Sequence, residues 1–121
     1  FFGKGAGSSV STGSSNTMVG ANSNAGGGAL TNATAIGANA MVSQSDSVVL
    51  GGITGVNGGS DTRVGIGTSA PKAKLEVAGG NLLIGSPGQG IVLKSPNGTK
   101  CTLLTIDNSG IPVWTVLPTC P

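Results

Sequence analysis

The sequence is poor in aromatic residues, histidine and charge. Two Phe and one Trp are its only aromatic side chains among 121 residues, and it has neither Tyr nor His. A single thick core of this size normally needs several large side chains to fill it, so a compact globule is disfavoured. The four acids, Asp46, Asp61, Glu76 and Asp107, are far apart and lie in no catalytic motif. The sequence therefore predicts a protein that is not an enzyme and holds no cofactor or metal.

The low charge and the lack of long apolar runs exclude further classes. Charged residues make up 8% of the chain and the formal net charge is +2, which leaves no basic stripe for nucleic acid. No uninterrupted apolar stretch reaches the roughly 18 residues that a membrane-spanning helix needs. We therefore expect neither a nucleic-acid partner nor a membrane span.

Glycine is abundant and is placed in a pattern. The chain has 23 Gly, which recur beside short aliphatic and β-branched runs rather than in one tract. Glycine allows frequent turns and close approach of neighbouring backbones. This pattern predicts an all-β fold with short strands and a thin wall.

A repeat becomes visible when segments that end in an aliphatic residue and glycine are aligned. The glycines fall at positions 20, 37, 51, 67 and 85, a spacing too short for repeats of helix pairs. The aligned copies are NTMVG (16–20), ATAIG (33–37), SVVLG (47–51), RVGIG (63–67) and NLLIG (81–85).

The repeat predicts short coils of a parallel β-solenoid or β-roll over residues 16–78. Successive coils would stack about 4.8 Å apart. We expect the aliphatic residue before each glycine to point inward as the repeat core, namely Val19, Ile36, Leu50, Ile66 and Ile84. Residues 1–15 have no periodic apolar pattern and are predicted to be a flexible or extended N-terminal arm.

So short a solenoid is expected to associate with copies of itself. A few narrow coils bury little apolar area against the entropy of ordering the backbone, and their ends present unpaired strand edges. We expect a homo-oligomer, either an intertwined homotrimer or a polymeric filament. Phe1, Phe2 and Trp114 are the candidate interface residues.

Residues 79–121 have a different character and predict a small antiparallel β-meander. Asn97-Gly98 is a hairpin signal that favours positive φ at both central positions, and Gly110 marks a second reversal. If strands 101–106 and 111–117 pair across the second reversal, Cys120 returns close to Cys101. A disulfide within the chain would contribute about 3 kcal/mol, while a bridge between subunits and free thiols are the alternatives.

Two segments resemble known families. TAIGANA (34–40) and SVVLG (47–51) are similar to the head repeats of trimeric autotransporter adhesins, over residues 16–52, which implies a left-handed parallel β-roll. TRVGIGTSAPKAKLEV (62–77) resembles a segment of bacteriophage tail-fibre and bacterial surface-fibre proteins that joins β-rich shaft modules within a trimer. These resemblances imply an extracellular or cell-surface protein, or alternatively a virion tail.

The resulting functional hypothesis is a structural subunit of an extracellular fibre or adhesin. It would form a stiff oligomeric rod for surface attachment and contact a host-surface or glycan receptor. A bacteriophage tail-fibre shaft segment is the first alternative. A glycan-binding module is the second, although aromatic platforms and paired carboxylates, which would indicate one, are missing from the sequence.

Overall fold

A computed structural model describes all residues, Phe1–Pro121. It is all-β, with parallel stacked coils and an antiparallel sheet, and has no helix, which confirms the predicted fold class. The chain divides into two units, Phe1–Asn81 and Leu82–Pro121, here called the coil unit and the C-terminal unit. The strands are β1 Thr17–Val19, β2 Asn24–Ala25, β3 Ala33–Ile36, β4 Met41–Val42, β5 Ser47–Leu50, β6 Val64–Ile66, β7 Leu75–Val77, β8 Ile91–Lys94, β9 Cys101–Ile106 and β10 Pro112–Val116.

The coil unit is built by stacking strands from successive turns of the chain. Strands β1, β3 and β5 form one parallel sheet, and β2 and β4 form a second. In the first sheet Val19 pairs with Ile36, and Ile36 pairs with Leu50. Residues at equivalent positions of the sequence repeat therefore pair with each other on neighbouring strands.

The N-terminal residues form a coil of their own, which corrects the prediction that residues 1–15 are a flexible or extended arm. Phe2 makes a parallel bridge with Val19, and its N–H donates to the carbonyl of Met18 at 2.7 Å. Further along, the N–H of Gly7 donates to the carbonyl of Ser23 at 2.9 Å. The prediction failed because this coil carries Phe2-Gly3 where the others carry an aliphatic-glycine pair.

The interior of the coils is narrow and is filled by small side chains. Met18 and Ala35 are fully buried and occupy equivalent positions on neighbouring strands. The other members of the buried cluster are Ala25, Ala33, Ala40 and Val42, with Ala6, Val10, Leu30 and Val49 packed against it. Such an interior has no room for aromatic side chains, which accounts for their scarcity.

The prediction that the aliphatic residue before each glycine points inward is wrong. Val19, Ile36 and Leu50 are in register as expected, but they face outward with 38%, 42% and 51% of their surface exposed. Side chains alternate between the two faces of a strand, so a shift of one position exchanges them. Met18, Ala35 and Val49, the residues immediately before those three, face the interior instead.

The ladder ends at Leu50, so Ile66 and Ile84 do not continue it. Strand β6 pairs in parallel with β7 and not with β5, and places Ile66 beside Val77. Ile84 lies outside every strand and is 43% exposed. The glycine spacing persists beyond residue 51, but the stacking does not.

The C-terminal unit is a three-stranded antiparallel sheet in the order β10, β9, β8. Cys101 and Cys120 form a disulfide within the chain, with Cα atoms 5.4 Å apart, as the leading prediction stated. At the turn after β9, the N–H of Gly110 donates to the carbonyl of Asp107 at 3.0 Å, and Gly110 has a φ of 80°.

The hairpin turn between β8 and β9 differs from the predicted form. Gly98 has a φ of 72° and donates its N–H to the carbonyl of Ser95 at 2.8 Å, but Asn97 is not in the positive-φ region. Pro96 occupies the first central position of this turn, and its ring restricts φ to about −65°. The turn is therefore centred on Pro96 and Asn97, and Gly98 follows in the left-handed conformation.

Candidate association surface

The most conspicuous surface of the coil unit is an uncharged apolar column on its first sheet. Phe2, Val19, Ile36 and Leu50 occupy equivalent positions of four neighbouring chain segments, and we call them the outer ladder. All four are more than one third exposed, and Phe2 is 78% exposed. Adjacent aliphatic groups at strand spacing form a continuous apolar stripe.

A second column on the same outward face is also uncharged. Thr17, Thr34 and Val48 pair across β1, β3 and β5 and lie two residues before the outer ladder. Val48 is 66% exposed. The outward face of this sheet thus consists of apolar and hydroxyl side chains, and a second sheet can pack on it without desolvating a charge.

A column of glycines makes the corner beside the outer ladder tight. Gly3, Gly20 and Gly37 have φ values of 131°, 129° and 123°. A Cβ atom on Gly20 would lie 2.5 Å from the carbonyl carbon of Gly37, and one on Gly3 would lie 2.5 Å from the carbonyl oxygen of Gly20. Only glycine allows backbones to stack this closely in that conformation.

Asparagine side chains connect the next corners of the coils. Asn22, Asn39 and Asn57 all have positive φ, which asparagine tolerates better than most residues. The Nδ2 of Asn22 donates to the Oδ1 of Asn39 at 3.3 Å, and the Nδ2 of Asn57 donates to the carbonyl of Asn22 at 2.6 Å. These hydrogen bonds connect successive coils and so stabilise the stack that carries the outer ladder.

Each of the four carboxylates makes a local hydrogen bond. Asp46 accepts from the Nδ2 of Asn32 at 2.9 Å across two coils. Glu76 accepts from the N–H of Lys72 at 2.6 Å. Asp107 accepts from the N–H of Ile111 at 2.9 Å in its turn. Asp61, the fourth, closes a loop in the coil unit.

The surroundings of Asp61 lower the pKa of its carboxyl group. Its Oδ1 accepts from the N–H of Thr54 at 2.9 Å, and its Oδ2 lies 3.1 Å from the Nζ of Lys74. The backbone N–H of Thr54 and, after it, Lys74 hold the pKa of Asp61 below its ordinary value. In return, the N–H of Asp61 donates to the Thr54 hydroxyl at 3.1 Å, so residues 54–61 form a closed loop.

This loop is expected to be less stable once Asp61 is protonated. Because the folded-state pKa of Asp61 is lowered, its stabilising effect is present above the unfolded-state pKa and is lost as the pH falls through the folded value. An NMR titration should give a midpoint for the Asp61 carboxyl below the ordinary aspartate value, with a lower protection factor for the Thr54 amide at the same pH. In Asp61→Asn this pH dependence should vanish. An ordinary or raised midpoint would contradict the prediction.

The aromatic residues expected at an interface lie at different places. Phe2 belongs to the outer ladder, whereas Phe1 lies over Gly7, where any side chain would collide with the Phe1 ring. Trp114 is 60% exposed in the C-terminal unit.

The sequence did contain a signal for the first coil, because Gly3 precedes Gly20 by the same interval as Gly20 precedes Gly37.

The structure contains no helix that is long and apolar enough to cross a membrane. It also has no cluster of three or more His, Cys, Asp or Glu side chains suited to a metal ion. No protein-family model, curated protein or solved structure matches this chain.

Proposed function

We propose that this protein is a non-catalytic structural subunit of an extracellular fibre or adhesin, which associates with copies of itself into a β-rich rod for surface attachment. The observation that carries the proposal is the outer ladder, an uncharged apolar column displayed on stacked coils. Oligomers bury such faces, and a stack stiffened by glycine and asparagine corners presents one in a fixed geometry.

Three further observations support the proposal. The disulfide Cys101–Cys120 is typical of an oxidising compartment outside the cytosol. The four carboxylates all make local hydrogen bonds that suit structural roles. The resemblance of residues 16–52 to the heads of trimeric autotransporter adhesins favours a homotrimer and a bacterial surface.

A bacteriophage tail-fibre shaft segment is the second candidate. It is favoured by the resemblance of residues 62–77 to tail-fibre segments and has the same physical requirements. Electron microscopy of native material should separate the two, because an adhesin would appear as rods on cells and a shaft segment on tailed virions. The same images would distinguish closed trimers from open filaments.

The association itself is tested by placing a charge on the outer ladder. Ile36→Lys should weaken association at least about 30-fold, because a buried ammonium group at the middle of an apolar interface costs about 2 kcal/mol or more. Sedimentation velocity over a range of concentrations measures this change.

Gln44→Lys is the matched control for this experiment. It adds the same charge to an exposed position between β4 and β5, away from the outer ladder. Its association should equal that of the unmodified chain. A chain that stays monomeric at high concentration would contradict the proposed function. Equal association of Ile36→Lys and Gln44→Lys would show that the outer ladder is not the association surface.

A further inference from the structure

The C-terminal unit displays a second apolar surface, on one face of its sheet. The strand register places Ile91 beside Leu104 and Leu104 beside Trp114. The flanking rows follow from the same register, and alternation puts all of them on one face. This surface, which we call the Trp114 face, comprises Ile91, Leu93, Thr102, Leu104, Ile106, Pro112, Trp114 and Val116.

The Trp114 face is well exposed and has no ionisable side chain. Trp114, Ile106 and Val116 are 60%, 65% and 67% exposed. Leu82 and Ile84 flank the face and line, together with its β8 and β9 residues, an apolar trough of about 390 Å³. Exposed apolar surfaces that extend over several neighbouring side chains commonly mark contact sites.

The unit's own disulfide-bonded tail lies on the opposite face. Cys101 and Lys94 pair across β8 and β9 on that face. Cys101 bonds to Cys120, and the Nζ of Lys94 donates to the carbonyl of Pro121 at 2.8 Å. The tail segment therefore lies at the Cys101 end of the opposite face and leaves Trp114 exposed.

The C-terminal unit has little interior to stabilise it. Cys101 is its only fully buried apolar residue, and domains this small usually need a disulfide, a metal or oligomerisation. The disulfide fixes the C-terminal tail to β9. Burial of the Trp114 face would supply the apolar area that the unit lacks.

We infer that the Trp114 face is a contact between copies of this chain. The absence of charge favours a second copy as the occupant, because two such faces bring no like charges together and offer no counter-charge to a charged partner. An exposed Trp beside aliphatic side chains is the composition of an interface hot spot. This inference rests on the proposed function and adds a second contact, separate from the outer ladder.

The single tryptophan makes the contact directly measurable in the full chain. Trp114 is the only indole, so its emission reports on this face alone. On raising the concentration of the oxidised protein, association should shift the emission to shorter wavelength and reduce quenching by acrylamide. Sedimentation velocity on the same samples gives the oligomeric state.

Charge variants test the same contact energetically. Trp114→Lys should raise the dissociation constant about 30-fold or more, as expected for removal of a hot-spot residue. Thr115→Lys is the matched control, since it adds the same charge at the next position, on the opposite face of β10. Val116→Lys repeats the test at a second exposed position of the Trp114 face, and circular dichroism verifies that each variant is folded.

The outcomes separate this inference from the proposed function. An oligomer in which Trp114 stays fully quenchable, or in which Thr115→Lys is as harmful as Trp114→Lys and Val116→Lys, would overturn the inference and leave the proposed function standing. A monomer whose Trp114 is shielded would show that the chain covers this face itself, and it would overturn both the inference and the proposed function. A monomer with an accessible Trp114 would overturn both.

Discussion

Substituting Gly20 by alanine is expected to destabilise the coil unit by about 3 kcal/mol or more. Gly20 has a φ of 129°, which strains any residue with a Cβ atom, and the added methyl group would lie 2.5 Å from the carbonyl carbon of Gly37. Backbone strain and forced overpacking each cost about 1–3 kcal/mol. Because the obstacle is backbone and not a flexible side chain, the two coils have to separate.

Chemical denaturation followed by far-ultraviolet circular dichroism measures this loss, and hydrogen exchange of the β1 and β3 amides localises it. Gly27→Ala is the matched control, because Gly27 belongs to the same coil, has no positive φ, and a Cβ atom there would meet nothing within 4 Å. It should change stability by less than about 1 kcal/mol. Equal effects of the two substitutions would contradict the stacked glycine corner.

Reducing the disulfide is expected to unfold the C-terminal unit and to leave the coil unit folded. The bond joins residues 19 positions apart, and opening a loop of this size removes about 3 kcal/mol by the chain-entropy estimate. That is a large fraction of what so small a sheet can have, since Cys101 is its only fully buried apolar residue. The coil unit contains no cysteine.

Limited proteolysis with and without reductant, read by mass spectrometry, measures the effect. Cleavage should appear within Leu82–Pro121 only after reduction, while the coil unit stays intact. The double variant Cys101→Ser with Cys120→Ser should be cleaved in the same segment whether or not reductant is present. Resistance of the reduced protein would show that the C-terminal unit is held by other contacts.

The fold class could be predicted from the sequence because it depends on local chemistry that repeats. The glycines at positions 20, 37 and 51 mark one corner of each coil, since the left-handed conformation there requires them. The turn residues between Ile106 and Ile111 likewise limit the chain to a hairpin, and the pairing of β9 with β10 brings Cys120 within bonding distance of Cys101. Because these features depend on a few neighbouring residues, they can be predicted without knowledge of distant contacts.

The orientation of the outer ladder was decided only by the tertiary structure. An alternating strand presents two faces, and both Met18 and Val19 are apolar, so composition does not say which one enters the interior. Closure of the coil puts Met18 and Ala35 inside and leaves Val19 and Ile36 outside, and side-chain size does not explain this choice, because Met18 is larger than Val19 and the β-branched Val42 is also buried. The candidate association surface exists because closure leaves Val19 and Ile36 outside.

Residues 1–15 are a second segment whose structure was decided only by tertiary contacts. Their serines and glycines have no apolar period and, taken alone, favour a flexible segment, yet they are ordered by hydrogen bonds to the next coil. Asn24 shows how, because its side chain binds the hydroxyls of Ser8 and Ser9 from 15 or 16 residues away. The sequence by itself determined the fold class and the glycine corners and indicated the disulfide as one of three alternatives. Which side chains face inward, and where stacking begins and ends, depended on contacts between successive coils.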